Sequence, residues 1–493
     1  MPIAPKVVVV GGGNAGLCAA ISAAESGADV TLLERSPREL RGGNSTFTAG
    51  AMRVAYEGTD DILTLVPDLT EHDLARTDFG SYDEGAFFDD LARVTQFRAD
   101  PELAETLVSR SLSTLQWMRG NGVRFVPIYG RQAYEVNGKF TFWGGLTLEA
   151  VGGGPGLVES LGQIADRLGV KTRFNSRAVA LDTGKDGVQG VVVRTGWEEE
   201  TIACDAVVLA AGGFQSNVEW RTRYLGPGWD LAKVRGTSYN TGDGLRMALD
   251  IGASPAGNWS GAHAVQWDLN APEYGDLAVG DGFQKHSYPL GIVVNNRGQR
   301  FVDEGADFRN YTYAKYGAQV LEQPNQVAWQ VFDAKVDHLL RDEYRIKQVS
   351  RAEADTLEGL AAKLDGIDRA GFLATVAEYN AAVDQGVEFN PNVKDGRGTP
   401  GLDVPKTNWA NTLDTPPFKA FAVTCGLTFT FGGLRIDTDA QVLDGDLAPI
   451  PGLYAAGEMT GGLFYFNYPG GSGLTNGSVF GRIAGERAAT AAR

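Results

Sequence analysis

Lys6-Val-Val-Val-Val-Gly-Gly-Gly-Asn-Ala-Gly16 decides the fold of this chain. The β-branched run Val7 to Val10 reads as a buried strand, and the glycines behind it turn the backbone sharply. A helical pattern follows from Leu17 to Ser26, with a stop at Gly27. A second apolar strand, Val30 to Leu33, then ends in Glu34. Strand, glycine turn, helix, strand and acid in this order are the setting in which G-x-G-x-x-G marks a dinucleotide site. Gly11 permits the tight turn, Gly13 lets the backbone approach a pyrophosphate, and Gly16 lets the helix pack closely on the strand. The helix start at Asn14 and Ala15 offers free N–H groups and a positive dipole end to phosphate. Glu34, with Arg35 beside it, is placed to meet a ribose.

Working outward, the chain of 493 residues suggests two or three structural units around a substantial core. A net charge of −17 argues against nucleic acid or an anionic membrane as partner. No apolar run is long enough to span a bilayer. Cys18, Cys204 and Cys425 are far apart, which suggests neither a disulfide framework nor a thiolate metal site, so no metal is expected. The first strand begins at once, without the pattern of a signal peptide, and the expected location is the cytoplasm.

Two later segments repeat the strand–glycine theme. Asp205-Ala-Val-Val-Leu-Ala-Ala-Gly-Gly213 is one, and Gly452-Leu-Tyr-Ala-Ala-Gly-Glu-Met-Thr-Gly-Gly462 is the other. Asn467-Tyr-Pro-Gly-Gly-Ser-Gly-Leu-Thr-Asn476 and a helical pattern, Gly477 to Ala492, close the chain. Such elements at both ends imply one nucleotide domain built from distant segments, with another unit inserted between them. That arrangement suits a long ligand such as FAD. The Pro/Gly/Asn-rich stretch from Asn390 to Pro405 reads as a long loop.

With these motifs the sequence resembles the flavoprotein family of fumarate reductase and succinate dehydrogenase, which includes 3-ketosteroid dehydrogenases. The resemblance spans nearly the whole chain. It is carried by the fingerprint, Arg41-Gly-Gly-Asn-Ser45, Ala210-Ala-Gly-Gly213, Thr241-Gly-Asp-Gly244, Asn295-Asn-Arg-Gly-Gln-Arg-Phe-Val-Asp-Glu304 and Ala455-Ala-Gly-Glu458. The Gly42 block, Phe308-Arg-Asn-Tyr-Thr-Tyr313, Thr428-Phe-Thr-Phe-Gly-Gly433 and the Phe464-to-Ser472 segment look most like the tricarballylate dehydrogenase branch. The resemblance implies an α/β fold, a Rossmann-like FAD-binding domain interrupted by an inserted α+β capping domain. Boundaries carried over from it give an FAD-binding domain at 1–257 and 430–493 and a cap at 258–429. It also adds to the cofactor-binding set Gly42, Gly43, Asn44, Ser45, Val179, Ala211, Gly212, Gly213, Asp243, Gly457, Glu458, Gly473, Leu474 and Thr475. Where membrane-bound relatives attach FAD through a histidine, this chain has Asn44; an amide is no such nucleophile, so FAD is expected to be non-covalent.

Flavin-dependent desaturation of a C–C bond needs a group to move the α-proton and a group to stabilise enolate-like charge, while the cofactor takes the hydride. The resemblance points to Arg309 as the proton-transfer residue, one position later than in the soluble reductases. It points to His263 as a substrate-carboxylate contact, and leaves Arg300 and Glu304 to hold their own segment. Two departures stand out. Phe429-Thr430 replaces a His-Thr pair, and Tyr468 replaces a carboxylate-clamping arginine. Tyr468-Pro-Gly-Gly-Ser also resembles the ketosteroid dehydrogenase segment whose tyrosine polarises a ketone. Tyr311, Tyr313 and Tyr288 are all open as its partner, and Trp143, Lys139 and Arg131 as further pocket residues.

The expected activity is therefore that of an FAD-dependent oxidoreductase on a CH–CH bond beside a carboxylate or carbonyl, tricarballylate dehydrogenase-like. A cyclic-ketone desaturase using Tyr468 is the alternative, and an FAD-binding protein without turnover is the reading from another class. The partners implied are a small carboxylate or ketone substrate and a separate electron acceptor or donor, because the sequence shows no haem-attachment or iron–sulfur pattern.

Overall fold

The computed structural model describes residues 4–143, 145 and 148–491. The chain opens with β1 (Lys6–Val10), α1 (Asn14–Glu25) and β2 (Asp29–Leu33), and reaches β3 (Lys171–Arg173) and β4 (Ala206–Leu209) after a helical excursion. A second group of strands follows: β5 (Lys233–Val234), β6 (Pro255–Asp268) and β7 (Ile292–Asn295). After α2 (Tyr313–Leu321) come β8 (Ala328–Phe332), β9 (Arg351–Ala354) and β10 (Phe418–Leu434). The chain then returns through β11 (Gln441–Leu443) and β12 (Pro449–Ala455) to end in α3 (Ser472–Ala491).

The first sheet has the order β11-β12-β4-β1-β2-β3, and every pairing except β11 with β12 is parallel. Strands from both ends of the sequence thus lie side by side, with Val9 of β1 set between Leu32 of β2 and Val208 of β4. Val7 to Val10 are all buried, which is why this strand shows no apolar–polar alternation. Small residues let the helices close on it and on each other. A Cβ at Gly16 would lie 1.9 Å from the Gly11 carbonyl oxygen. At Gly481 and Gly485 of α3 it would lie 2.4 and 2.1 Å from the carbonyl oxygens of Ala15 and Ala19. Helix α3 starts five residues before the expected Gly477, because the turn at Pro469 to Ser472 already leads into it. Residue 492, its expected end, lies outside the described residues.

The second sheet, in the order β5-β10-β8-β7, is organised by the 17-residue strand β10, on which β6 and β9 also pair. It has a core of its own, including Ile292, Val331, Phe372 and Phe418. Residues 257 and 429, the boundaries expected from the resemblance, fall inside β6 and β10. These strands run antiparallel from Pro255↔Leu434 to Asp268↔Val423, with a bulge between Asn258 and Ala262. The segment from Asn390 to Pro405 carries no helix or strand. Among the described residues no helix is long and apolar enough to cross a membrane.

Candidate active site

The carboxyl ends of the parallel strands open into one cleft, lined by Val10, Leu33, Ala210 and Ala456, in the position where ligands bind open α/β sheets. The cleft runs from there to the inner part of β10 and encloses about 1780 Å³, its open mouth included. Drug-sized sites hold about 300–1,000 Å³, so this one suits a longer ligand.

One end is built mainly from backbone. Gly11, Gly13, Asn14, Ala15, Gly42, Gly43, Asn44, Ser45, Ala211, Gly212, Gly457, Gly473 and Leu474 line it, as expected from the sequence. The first-turn N–H groups of α1 have no intrahelical acceptors and face this space. Glu34 also lines it, and its carboxylate accepts hydrogen bonds from the Gly12 and Ser36 amides at 2.9 and 2.8 Å. Arg35 donates to Asp243 at 2.7 Å, and Arg177 holds the same carboxylate through two nitrogens. The side chain of Asn14 donates to the Leu474 carbonyl and to Ser478, tying the start of α1 to α3. Asn44 uses both ends of its amide, donating to the Thr428 carbonyl and accepting from the Thr237 N–H.

Four expected cofactor residues do not line this cleft. Gly16 is spent on helix–strand packing. Gly213 sits behind Glu458 and Thr430, where a Cβ would clash with both. Thr475 is buried, its hydroxyl donating to the Arg53 carbonyl. Val179 is corrected by strand phase: Ser176, Arg177 and Ala178 line the cleft, while the Val179 carbonyl accepts from Arg246. Gly152 to Gly154 also stay out of the cleft. They start a helix, with Gly154 pressed against the Ser45 and Thr48 carbonyls behind the Gly42 loop.

Glu458 stands on the cleft wall with its carboxylate taken up by the Thr430 N–H and by Gln215 and Asn240. Burial pushes its carboxyl up to about 7, against those hydrogen bonds.

The other end is built from side chains of distant segments. Phe429, Phe431, Phe464 and Tyr468 form an aromatic wall, with ring centroids 5.2 Å apart for Phe429 and Tyr468. Tyr465 and Phe466 pair with each other away from it. The hydroxyls of Tyr313 and Tyr468 share a short hydrogen bond. Burial raises both phenols above the ordinary tyrosine value, so both are neutral donors. His263, opposite Phe429 in the β6–β10 register, packs against Tyr313, Phe429 and Tyr468. Its ring nitrogens have no hydrogen-bond partner among the described residues, and burial together with Arg235 keeps it neutral.

Charge gathers beside this wall. Asp281 accepts from Arg235 at 2.6 and 2.9 Å, from Arg131 at 2.8 Å and from Gln284 at 2.7 Å. Arg309 donates to the Arg131 carbonyl at 2.7 Å and lies 3.0 Å from Nδ1 of His286. Burial pulls the Arg309 guanidinium below its ordinary value; Glu343 opposes this, and Arg341 and Arg131 reinforce it. The sequence reading did not single out Arg235, Asp281 or His286, none of which stands in a motif. Tyr313 was one of three tyrosines left open; the structure joins it to Tyr468, whereas Tyr311 bonds Asp90 and Tyr288 bonds Thr312. Arg300 and Glu304 hold their segment, with Glu304 also accepting from the Val293 amide.

The FAD binding domain family model matches residues 6–474. A cytochrome-type fumarate reductase of Shewanella frigidimarina is 32% identical over 98% of this chain and 76% of its own length. A 4-oxocyclohexanecarboxylate 2-dehydrogenase of Sinomonas cyclohexanicum is 30% identical over 98% of this chain and 93% of its own. A 3-ketosteroid Δ1-dehydrogenase structure from Sterolibacterium denitrificans, 23% identical, shares the fold with a TM-score of 0.74 over 98% of this chain and 99% of that one. The chain belongs to the FAD-binding flavoprotein family of fumarate reductase. It is an FAD-dependent oxidoreductase acting on CH–CH and C=C bonds. The donors at the α1 end of the cleft and its backbone-lined length fit that cofactor.

Proposed function

We propose that the enzyme desaturates, or in reverse reduces, the C–C bond beside the carbonyl of a small cyclic ketone that carries one carboxylate, as 4-oxocyclohexanecarboxylate does. The observation that carries this reading is the buried Tyr313–Tyr468 hydroxyl pair in the aromatic wall. A neutral phenol suits a carbonyl oxygen, whereas an arginine at that place would suit an anion. With Tyr313 donating to Tyr468, the Tyr468 O–H is left to hold the substrate oxygen as it gains enolate charge.

Arg309 moves the proton at the α carbon, and bound FAD supplies the hydride acceptor for the β carbon. Arg131 and Arg235 share one carboxylate, Asp281, and the net single positive charge suits one substrate carboxylate rather than a polyanion. His263 supports the ring of Tyr468 through packing, with no anion contact of its own. Asn44 spends both amide groups on the protein, so FAD is held without a covalent bond; acid denaturation should release all the yellow colour. Boundaries near 257 and 429 then put substrate between an FAD domain and a cap joined by β6 and β10.

Anaerobic titration tests the reading. 4-Oxocyclohexanecarboxylate should bleach the oxidised flavin band in proportion to the amount added, with tricarballylate and succinate leaving it unchanged. Bleaching by tricarballylate alone would assign the site to polycarboxylates instead.

A further inference from the structure

Arg309 and His286 belong to two cavities at once. On one side they line the main cleft. On the other they line a second pocket of about 310 Å³, its mouth included, whose remaining wall includes Tyr134, Trp143, Phe308 and Trp409. Trp143 stacks on Phe308 at 4.6 Å, and Phe308 packs on Trp409. Water occupies about 30 Å³ per molecule, so this space holds several.

His286 is 2% exposed. Its Nδ1 lies 3.0 Å from Nη1 of Arg309, and its Nε2 has no partner among the described residues. A guanidinium is all donor, so Nδ1 accepts and the ring's proton sits on Nε2. We propose that His286 is the positioning residue through which Arg309 exchanges its proton with water in the second pocket. This rests on Arg309 as the residue that moves the α-proton.

The physical need is plain, because an arginine left fully protonated cannot accept a proton. In the desaturation direction Arg309 passes an Nη1 proton to Nδ1 of His286 as the Nε2 proton of the same ring passes to water. The neutral guanidine then takes the α-proton while the hydride leaves the β carbon for the cofactor. The guanidinium is restored, and one proton has gone to solvent. The ring resets by exchanging its Nδ1 proton for one at Nε2 through the same water. Reduction runs these steps backwards. Burial and the cations facing the ring, Arg309, Arg235 and Arg131, with His263 beyond them, keep His286 neutral, as an exchanger requires.

The chain has four histidines, so the imidazole nitrogens of the holoenzyme are few enough to follow by nitrogen-15 NMR, with His286→Gln identifying the ring. The expected result is a neutral Nε2–H ring between pH 5.5 and pH 8, values of about one unit either side of the free imidazole value. A resting Nδ1–H form, or ionisation inside that range, overturns the proposal. In kinetics, His286→Gln should keep FAD and KM and lower kcat about 100-fold, within the usual range for acid–base groups. In His286→Ala, added imidazole should recover about tenfold of the loss. Wild-type kcat in His286→Gln, or no rescue in an FAD-loaded His286→Ala, overturns it. Arg309→Lys separates the two layers. Undiminished turnover there removes the Arg309 reading itself, whereas a collapse there with normal His286→Gln removes only the exchange path. Should both His286 variants lose FAD, the wild-type NMR result still decides.

Discussion

The two ends of the cleft are made in different ways. The cofactor end is a surface of backbone, shaped by glycines within short contiguous segments and held by α1, the Gly42 loop and the start of α3. The substrate end is a surface of side chains. Arg131, Arg235, His263, Asp281, Arg309, Tyr313, Phe429 and Tyr468 come from separate stretches and meet through the β6–β10 register and α2. A backbone surface recognises what all relatives share, a dinucleotide; a side-chain surface can change its substrate by single replacements without disturbing the first. Phe429 and Tyr468 are such replacements.

The largest effect that would break this contrast lies at the cofactor end. Gly16→Val should abolish FAD retention and soluble folding, because a Cβ 1.9 Å from the Gly11 carbonyl oxygen cannot be accommodated without opening the turn. Flavin absorbance after purification reads it. Next comes the substrate end. Asp281→Asn should leave FAD bound and shift the KM ratio of tricarboxylate to monocarboxylate about tenfold toward the polyanion, since Arg131 and Arg235 lose their shared counter-charge. It should also lower thermal stability, because removing one partner of a buried pair costs about 3–5 kcal/mol.

The smallest effect concerns Glu458. Its folded value of about 7 lies above the unfolded value near 4.3, so the folded apoprotein binds more protons between the two. Stability must then fall as pH rises from about 4.3 to about 7, by up to a few kcal/mol. Thermal unfolding of the apoprotein at pH 5 and pH 8 should show this fall, and Glu458→Gln should flatten it.

The same contrast explains what the sequence disclosed. The fingerprint was legible because each glycine does a local job within sixteen residues, and the FAD assignment followed from strand–glycine elements at both ends. Val179 was misplaced because a shift of one residue along a strand moves a side chain to the other face. Gly213 and Thr475 stand in the right motifs but face inward. The Arg131–Asp281–Arg235 cluster gave no signal, since its members are up to 150 residues apart and belong to no pattern. Tyr313 carried a faint one, four residues after Arg309 at the start of a helix. Its bond to Tyr468, 155 residues away, exists only in the fold.

The central claim is that Tyr468 holds the substrate carbonyl. Single-turnover flavin reduction by 4-oxocyclohexanecarboxylate, followed in wild type and Tyr468→Phe with equal FAD content, tests it most directly. The account predicts a reduction rate about 100- to 1,000-fold lower in the variant, the usual loss for one oxyanion donor, with substrate binding little changed. An equal rate in the two proteins would contradict it and leave Tyr468 as a packing residue of the aromatic wall.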